Sequence, residues 1–132
     1  MKILISSDST CDLSAALREK YNIAIVPLYI EKEGRNYRDG VDIVPQDIFD
    51  YVGSGRGVCR TAAVNTEEYR ERFTAWRESY DAVIHFNISS EMSSCYQNAC
   101  AAAAECDNVY VVDSRHLSTG SGLLVLEAAE RA

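Results

Sequence analysis

The hydrophobic pattern of the chain contains three short, continuous apolar runs, at residues 3–5, 82–88 and 109–112. A run that does not alternate with polar residues is typical of a strand covered on both faces, as in a parallel sheet. A fourth apolar segment, residues 23–30, contains Pro27. Because proline has no N–H to donate to a strand ladder, this segment is predicted to carry a bulge or to lie at the edge of the sheet.

Helical spacing of apolar residues fills the intervals between these runs. Asp12 is the expected N-cap of the first helix, Pro45 opens the second, and Asn65 or Thr66 caps the third, whose aromatic stripe is expected to enter the core. The five predicted helices cover residues 13–21, 45–52, 66–80, 93–106 and about 118–132. This alternation of strands and helices predicts an α/β fold, with a parallel sheet and helices on both faces.

The composition is that of one folded domain, with 47% hydrophobic residues and only two prolines among 132 residues. A domain of this length buries roughly two thirds of its unfolded surface, so disulfides are not required. Thirteen basic residues against twenty acidic residues give a net charge of −7. Because this charge repels a phosphate backbone, nucleic acid is not expected as a partner.

The five cysteines are scattered along the chain without a CxxC pair, and the two histidines stand apart from them. This pattern lacks the spacing of zinc ligands and is typical of a reducing compartment. No stretch has the length of a signal-peptide core or of a membrane span. The sequence therefore predicts a soluble cytoplasmic protein without a metal or a cofactor.

Residues with hydroxyl groups follow each of the three predicted strands, in loops 6–10, 89–94 and 113–115. In an open parallel sheet, ligands bind beyond the carboxyl ends of the strands. Ser93 and Ser94 stand at the head of one predicted helix and Ser121 at the head of another, where free N–H groups favour an anion. We therefore expect a small anionic or polar ligand at this edge, although serine and threonine are also the ordinary caps of any helix.

The motifs of common enzymes are absent. Asp8-Ser9-Thr10 lacks the second aspartate of an aspartyl-phosphate loop, and the chain has no GxSxG elbow and no GxxxxGK[ST] loop. Arg38-Asp39-Gly40 is typical of a hairpin turn. His85 is interpreted as a core residue because it lies within a predicted strand, whereas His116 is a candidate contact near the ligand edge.

Several motifs resemble those of one protein family, in the same order along the chain. Asp8-Ser9-Thr10-Cys11-Asp12-Leu13 resembles the DST-x-DL opening of the DegV family, and residues 88–99 are similar to its ISS-x-LSGTYQ-x-A motif. Further resemblances lie at residues 26–28, 37–43, 111–114 and 118–122. The resemblance implies that residues 1–132 form a single α/β domain, the N-terminal domain of a two-domain protein whose C-terminal domain is absent. The helical pattern continues to the last residue without a stop signal, so we expect further chain in the parent protein.

The resemblance also implies a function. Members of this family bind a long-chain fatty acid and present its carboxylate to a separate fatty-acid kinase, without catalysis of their own. It implies that Thr61 and Ser93 hold the carboxylate, with Ser94 nearby, while the acyl tail enters a tunnel. The family usually has TSQPS where this chain has residues 61–65, and a Gly-Thr pair where it has Ser94-Cys95. The other expected ligand-binding residues are Asp8, Ser9, Thr10 and Ser121.

Two other hypotheses stay open at this point. In the first hypothesis, the chain is a hydrolase or transferase of a small acyl or phosphorylated substrate, with Asp8 or Ser93 as the nucleophile. Such a nucleophile needs a positioned base, and only two histidines are available for that role. In the second hypothesis, the chain is a structural dimerisation domain. A lipid ligand further predicts transient contact with a membrane surface, and an uncovered ligand edge predicts self-association.

Overall fold

The computed structural model describes residues 1–132, and its main sheet confirms the predicted α/β fold. The sheet has four parallel strands in the order β2-β1-β6-β7. These strands are β1 (Ile3–Asp8), β2 (Ala24–Val26), β6 (Ala82–Asn87) and β7 (Val109–Asp113). The three apolar runs therefore form β1, β6 and β7, and the carboxyl ends of these neighbouring strands meet at one edge.

A second, antiparallel sheet of three strands was not predicted from the sequence. Its order is β4-β3-β5, with β3 (Tyr29–Lys32), β4 (Arg35–Arg38) and β5 (Arg60–Ala62). The segment 23–30 is not one strand, because it is divided between the two sheets at Pro27 and Leu28. Proline ends the ladder of β2, and the Leu28 N–H donates to the Ser9 hydroxyl at 3.1 Å instead of to a strand. The prediction of an edge strand is confirmed, since β2 is the outer strand of the main sheet.

The hairpin turn lies elsewhere than predicted. β3 and β4 are joined at Glu33 and Gly34, whose φ angles of 52° and 73° suit a tight two-residue hairpin turn. Arg38-Asp39-Gly40 follows β4 instead, and there Arg38 forms a two-pronged ion pair with Asp42 at 2.9 Å. The prediction of a hairpin turn at residues 38–40 is therefore wrong.

All five predicted helices are present. They are α1 (Ala15–Lys20), α2 (Pro45–Gly53), α3 (Thr66–Arg77), α4 (Cys95–Ala103) and α5 (Thr119–Arg131). Asn65 caps α3 as expected, but the N-cap of α1 is Ser14 rather than Asp12. Asp12 instead ends a short 3₁₀ turn at Ser9–Cys11 in the left-handed conformation, with φ of 51°, so its backbone does not suit an N-cap.

Helices cover both faces of the main sheet, as predicted. On one face, Tyr69 and Phe73 of α3 pack with Ala99 of α4 against the sheet. On the other face, Val125 of α5 packs against Ile5, with Leu13 and Tyr21, which flank α1, alongside. No helix of the protein is both long enough and apolar enough to cross a membrane.

Candidate functional site

Asp8 joins the ends of the two central strands. Its carboxylate accepts the backbone N–H of Ile88 at 2.6 Å and the side-chain amide of Asn87 at 3.4 Å. It also accepts the backbone N–H and the hydroxyl of Thr10, at 3.1 Å and 2.5 Å. Burial raises the pKa of Asp8, and these hydrogen bonds act in the opposite direction. Both carboxylate oxygens are occupied within the chain, so the side chain acts as a fixed acceptor that holds the loop after β1.

Ser9 and Thr10 also serve the framework. The Ser9 hydroxyl accepts the Leu28 N–H, which fixes the crossing between the two sheets. The Thr10 carbonyl accepts the N–H of Ser118 at 2.9 Å and thereby fastens the residue that precedes α5. The expected convergence of the strand-end loops is confirmed by these bonds, together with a bond from the Ser89 N–H to the His116 carbonyl at 3.0 Å.

The hydroxyls of Thr61, Ser93 and Ser94 are free to donate, whereas the Thr10 hydroxyl donates to Asp8. Thr61 is exposed on β5 and its hydroxyl makes no hydrogen bond within the chain, and Ser94 is exposed at the head of α4 without a capping bond. The half-buried Ser93 accepts the Cys95 N–H at 3.2 Å, which leaves its proton available. The amide of Asn98 on α4 donates to the carbonyl of Val64 at 2.9 Å, so the segment after β5 is fastened to the helix that Ser93 precedes.

Ser121 is fully buried in the first turn of α5, and its hydroxyl has no partner within the chain. The helix can approach the 3₁₀ turn closely because the next residue is Gly122. Ser118, directly before α5, has φ of 58° and ψ of −125°, which lies outside the regions favoured by residues other than glycine. Strained backbone of this kind clusters at ligand-binding edges.

A polar cavity lies beyond the ends of β6 and β7. It has a volume of about 400 Å³ and is lined by Ser89, Ser90, Glu91, Asp113 and Arg115. Burial would raise the pKa of Asp113, but the side chain of Ser90 and the N–H groups of Arg115 and Ser90 outweigh it and lower the pKa. None of the five principal cavities is lined by Thr61, Ser93 or Ser121. No cluster of three His, Cys, Asp or Glu side chains is arranged to hold a metal ion.

His85 is a core residue, as predicted. Its Nδ1 lies 2.9 Å from the Ser6 hydroxyl, and the edges of Tyr69 and Phe73 cover the ring. Burial, assisted by the charge of Arg72, lowers its pKa to about 3, so the imidazole is neutral. Asn87, two residues further along β6, donates to the Tyr69 hydroxyl at 3.0 Å. Asn87 was not among the predicted site residues, although an amide at the end of an apolar run is a signal for such a network.

The fold and the edge together define a class of protein: an α/β domain with a parallel sheet and a small antiparallel sheet, whose free hydroxyls suit a polar or anionic ligand. A family model described as "Uncharacterised protein, DegV family" matches residues 2–132. The chain belongs to the DegV family.

Relatives of known structure have the same fold. A DegV family protein from Thermus thermophilus, described for its fatty-acid binding, superposes with a TM-score of 0.91 at 36% identity over 98% of this chain and 47% of its own. A stearic acid-binding protein from Eubacterium ventriosum has a TM-score of 0.86 at 30% identity, over 96% of this chain and 46% of its own. A DegV domain-containing protein from Clostridium perfringens is 38% identical over 97% of this chain and 47% of its own. The chain thus spans about half the length of these relatives.

Proposed function

We propose that this chain binds a long-chain fatty acid and holds its carboxylate at the edge bearing Thr61 and Ser93. The similarity to the fatty-acid-binding protein of Thermus thermophilus, over 98% of this chain, is the observation that carries the proposal. The candidate hydroxyls support it, because the Thr10 hydroxyl already donates to Asp8 while the hydroxyls of Thr61 and Ser93 retain a donor. Ser94, which follows Ser93 directly, adds a third hydroxyl, and it is exposed.

The acyl tail would supply most of the affinity. A sixteen-carbon tail carries about 14 methylenes, and burial of each contributes ~0.8 kcal/mol, or about 11 kcal/mol before the costs of ordering. Each hydrogen bond to the charged carboxylate adds roughly 1.5–3 kcal/mol. In this proposal the tail determines how tightly the ligand binds, and Thr61, Ser93 and Ser94 determine where its carboxylate stands.

We further propose that the chain is a non-catalytic component that presents the carboxylate to a separate fatty-acid kinase. The buried carboxylate of Asp8 is held by four hydrogen bonds, and His85 is neutral beneath two aromatic rings. Neither arrangement supplies a nucleophile with a positioned base. Loading of such a protein involves transient contact with a membrane surface, and the five free thiols suit the reducing cytoplasm.

Mass spectrometry of the natively purified chain, followed by titration of delipidated protein with fluorescent palmitate, tests the proposal. We expect a co-purified fatty acid and saturable binding. A chain that carries no lipid and fails to bind the labelled fatty acid would overturn the proposal.

A further inference from the structure

One face of the small sheet carries basic side chains beside Thr61. Tyr37 of β4 and Thr61 of β5 lie directly opposite Ile30 of β3 on either side. Side chains alternate between the two faces of a strand, so Lys32 shares this face, and Arg35 lies directly opposite it. Lys32 is the diagonal neighbour of Thr61 across β3 and β5, and the Cα atoms of such neighbours are about 7–8 Å apart.

Aromatic rings lie beside two of the cations of this face. The Lys32 ammonium lies 5.2 Å from the ring centroid of Tyr37 and 5.5 Å from that of Tyr51. The guanidinium of Arg56 lies 5.3 Å from the centroid of the same Tyr51 ring. We refer to Lys32, Arg35 and Arg56 as the cationic face.

None of these three residues belongs to any of the five ion pairs of the chain. The Lys32 residue is half-buried beside the buried Tyr51, and no carboxylate pairs with its ammonium. A cation in that state is attracted to an incoming anion more strongly than a fully hydrated surface lysine.

Rings also limit how far these cations move. Two rings flank the Lys32 ammonium, and the Tyr51 hydroxyl donates to the Arg56 carbonyl at 3.4 Å. Gly57 allows this approach, because a Cβ there would lie 2.6 Å from the Tyr51 hydroxyl oxygen. A charge that is already positioned loses less freedom when the anion arrives.

We propose that the cationic face binds the anionic head group of the ligand held at Thr61, with Lys32 as the principal residue, and that it favours a phosphate over a carboxylate. This inference rests on the proposed function. A phosphate carries up to two negative charges and three acceptor oxygens, and its oxygens extend further from the acyl chain than those of a carboxylate. The face is therefore suited to the phosphorylated form of the head group, and Lys32 is a residue that determines specificity.

Binding of three sixteen-carbon probes by the full chain tests this inference: hexadecylphosphonate, palmitate and hexadecanol. Lys32→Met removes the charge and keeps an unbranched side chain that is one atom shorter. Lys20→Met is the matched control, since the Lys20 ammonium also lies over a tyrosine ring, 4.9 Å from the centroid of Tyr21. We expect Lys32→Met to weaken phosphonate binding about tenfold, palmitate binding less and hexadecanol binding not at all. The salt dependence of phosphonate binding should also decrease in this variant alone.

The outcomes separate the two proposals. If palmitate binds and Lys32→Met binds phosphonate as tightly as the wild type, the cationic face has no role and the fatty-acid proposal stands. If no sixteen-carbon probe binds, the proposed function fails, and titration with inorganic phosphate then decides the inference. Saturable NMR shifts of Tyr37 and Tyr51 that Lys32→Met abolishes would support an anion site, and unchanged spectra would overturn it.

Discussion

Gly122 of α5 lies directly against the backbone of Cys11, because a methyl group at Gly122 would come within 2.7 Å of the Cys11 carbonyl oxygen. The first turn of α5 therefore rests on the 3₁₀ turn that follows Asp8. This contact positions the buried Ser121 and holds the start of α5 against the loop after β1.

Gly122→Ala is expected to destabilise the chain by about 2 kcal/mol, because the methyl group would push α5 away from Cys11. Urea denaturation followed by circular dichroism measures the change. Gly53→Ala, at the end of α2, is the control, since nothing lies within 4 Å of the position its methyl group would occupy. Equal losses in both variants would show that the close approach has no energetic importance.

Ser93→Ala is expected to weaken fatty-acid binding about tenfold while the chain remains folded. The variant loses a hydrogen bond to the carboxylate, but the bond from the Cys95 N–H to the Ser93 hydroxyl contributes only about 1 kcal/mol to stability. Titration with labelled palmitate measures the affinity. Ser79→Ala, an exposed serine beyond α3, should bind like the wild type. Unchanged affinity in Ser93→Ala would remove Ser93 from the head-group site.

Asp8→Asn is expected to lower the free energy of unfolding by about 2 kcal/mol, because the new NH₂ group would face the N–H of Ile88 or the donors of Thr10. Urea denaturation checks this value. Esters and phosphoesters should show no turnover with either form of the protein. A hydrolytic activity that survives repeated purification and disappears in Asp8→Asn would instead support the hydrolase hypothesis.

The stability of the chain is expected to depend on pH through His85. Its pKa is about 3 in the folded chain and 6.5 in the reference state, so the unfolded chain binds more protons between these values. The stabilisation is complete above pH 6.5 and is lost as the pH falls toward 3, with a loss of about 2 kcal/mol between pH 7 and pH 5. Urea denaturation at several pH values gives the slope.

His85→Gln removes this titration and should flatten the slope, whatever its effect on stability at pH 7. His116→Gln, at an exposed position, should keep the slope of the wild type. A wild-type slope in His85→Gln would show that another group causes the pH dependence.

The strands of the main sheet could be predicted because both of their faces are covered, and their sequences are therefore continuously apolar. β4 and β5 could not be predicted, since Arg35–Arg38 and Arg60–Ala62 are mostly exposed and carry no apolar run. Their pairing with β3 depends on a crossing at Pro27 that only the tertiary structure reveals. The proximity of the loops at the sheet edge could also be predicted, because the carboxyl ends of neighbouring parallel strands lie at the same edge of a sheet.

The sequence alone did not distinguish framework residues from candidate ligand-binding residues at that edge. Asp8 and Ser9 accept N–H groups of the distant residues Ile88 and Leu28, whereas Ser93 accepts that of the nearby Cys95. The two distant partners lie 80 and 19 residues away, respectively, and no local pattern indicates them. The cationic face was missed for the same reason, since its residues come from two strands of an unpredicted sheet and the loop after α2.

The pairing of β1 with β6 has a consequence for how the chain folds. Ser6 and His85, which meet across these strands, are separated by 79 positions, so the central contact of the sheet closes a very long loop. The hairpin of β3 and β4 closes over only a few residues, and such hairpins form in about 1–10 μs. Because distant contacts slow folding far more than local ones, we expect the rate of refolding to be limited by the docking of β6 onto β1. The β3–β4 hairpin of the small sheet would then form before the main sheet is complete.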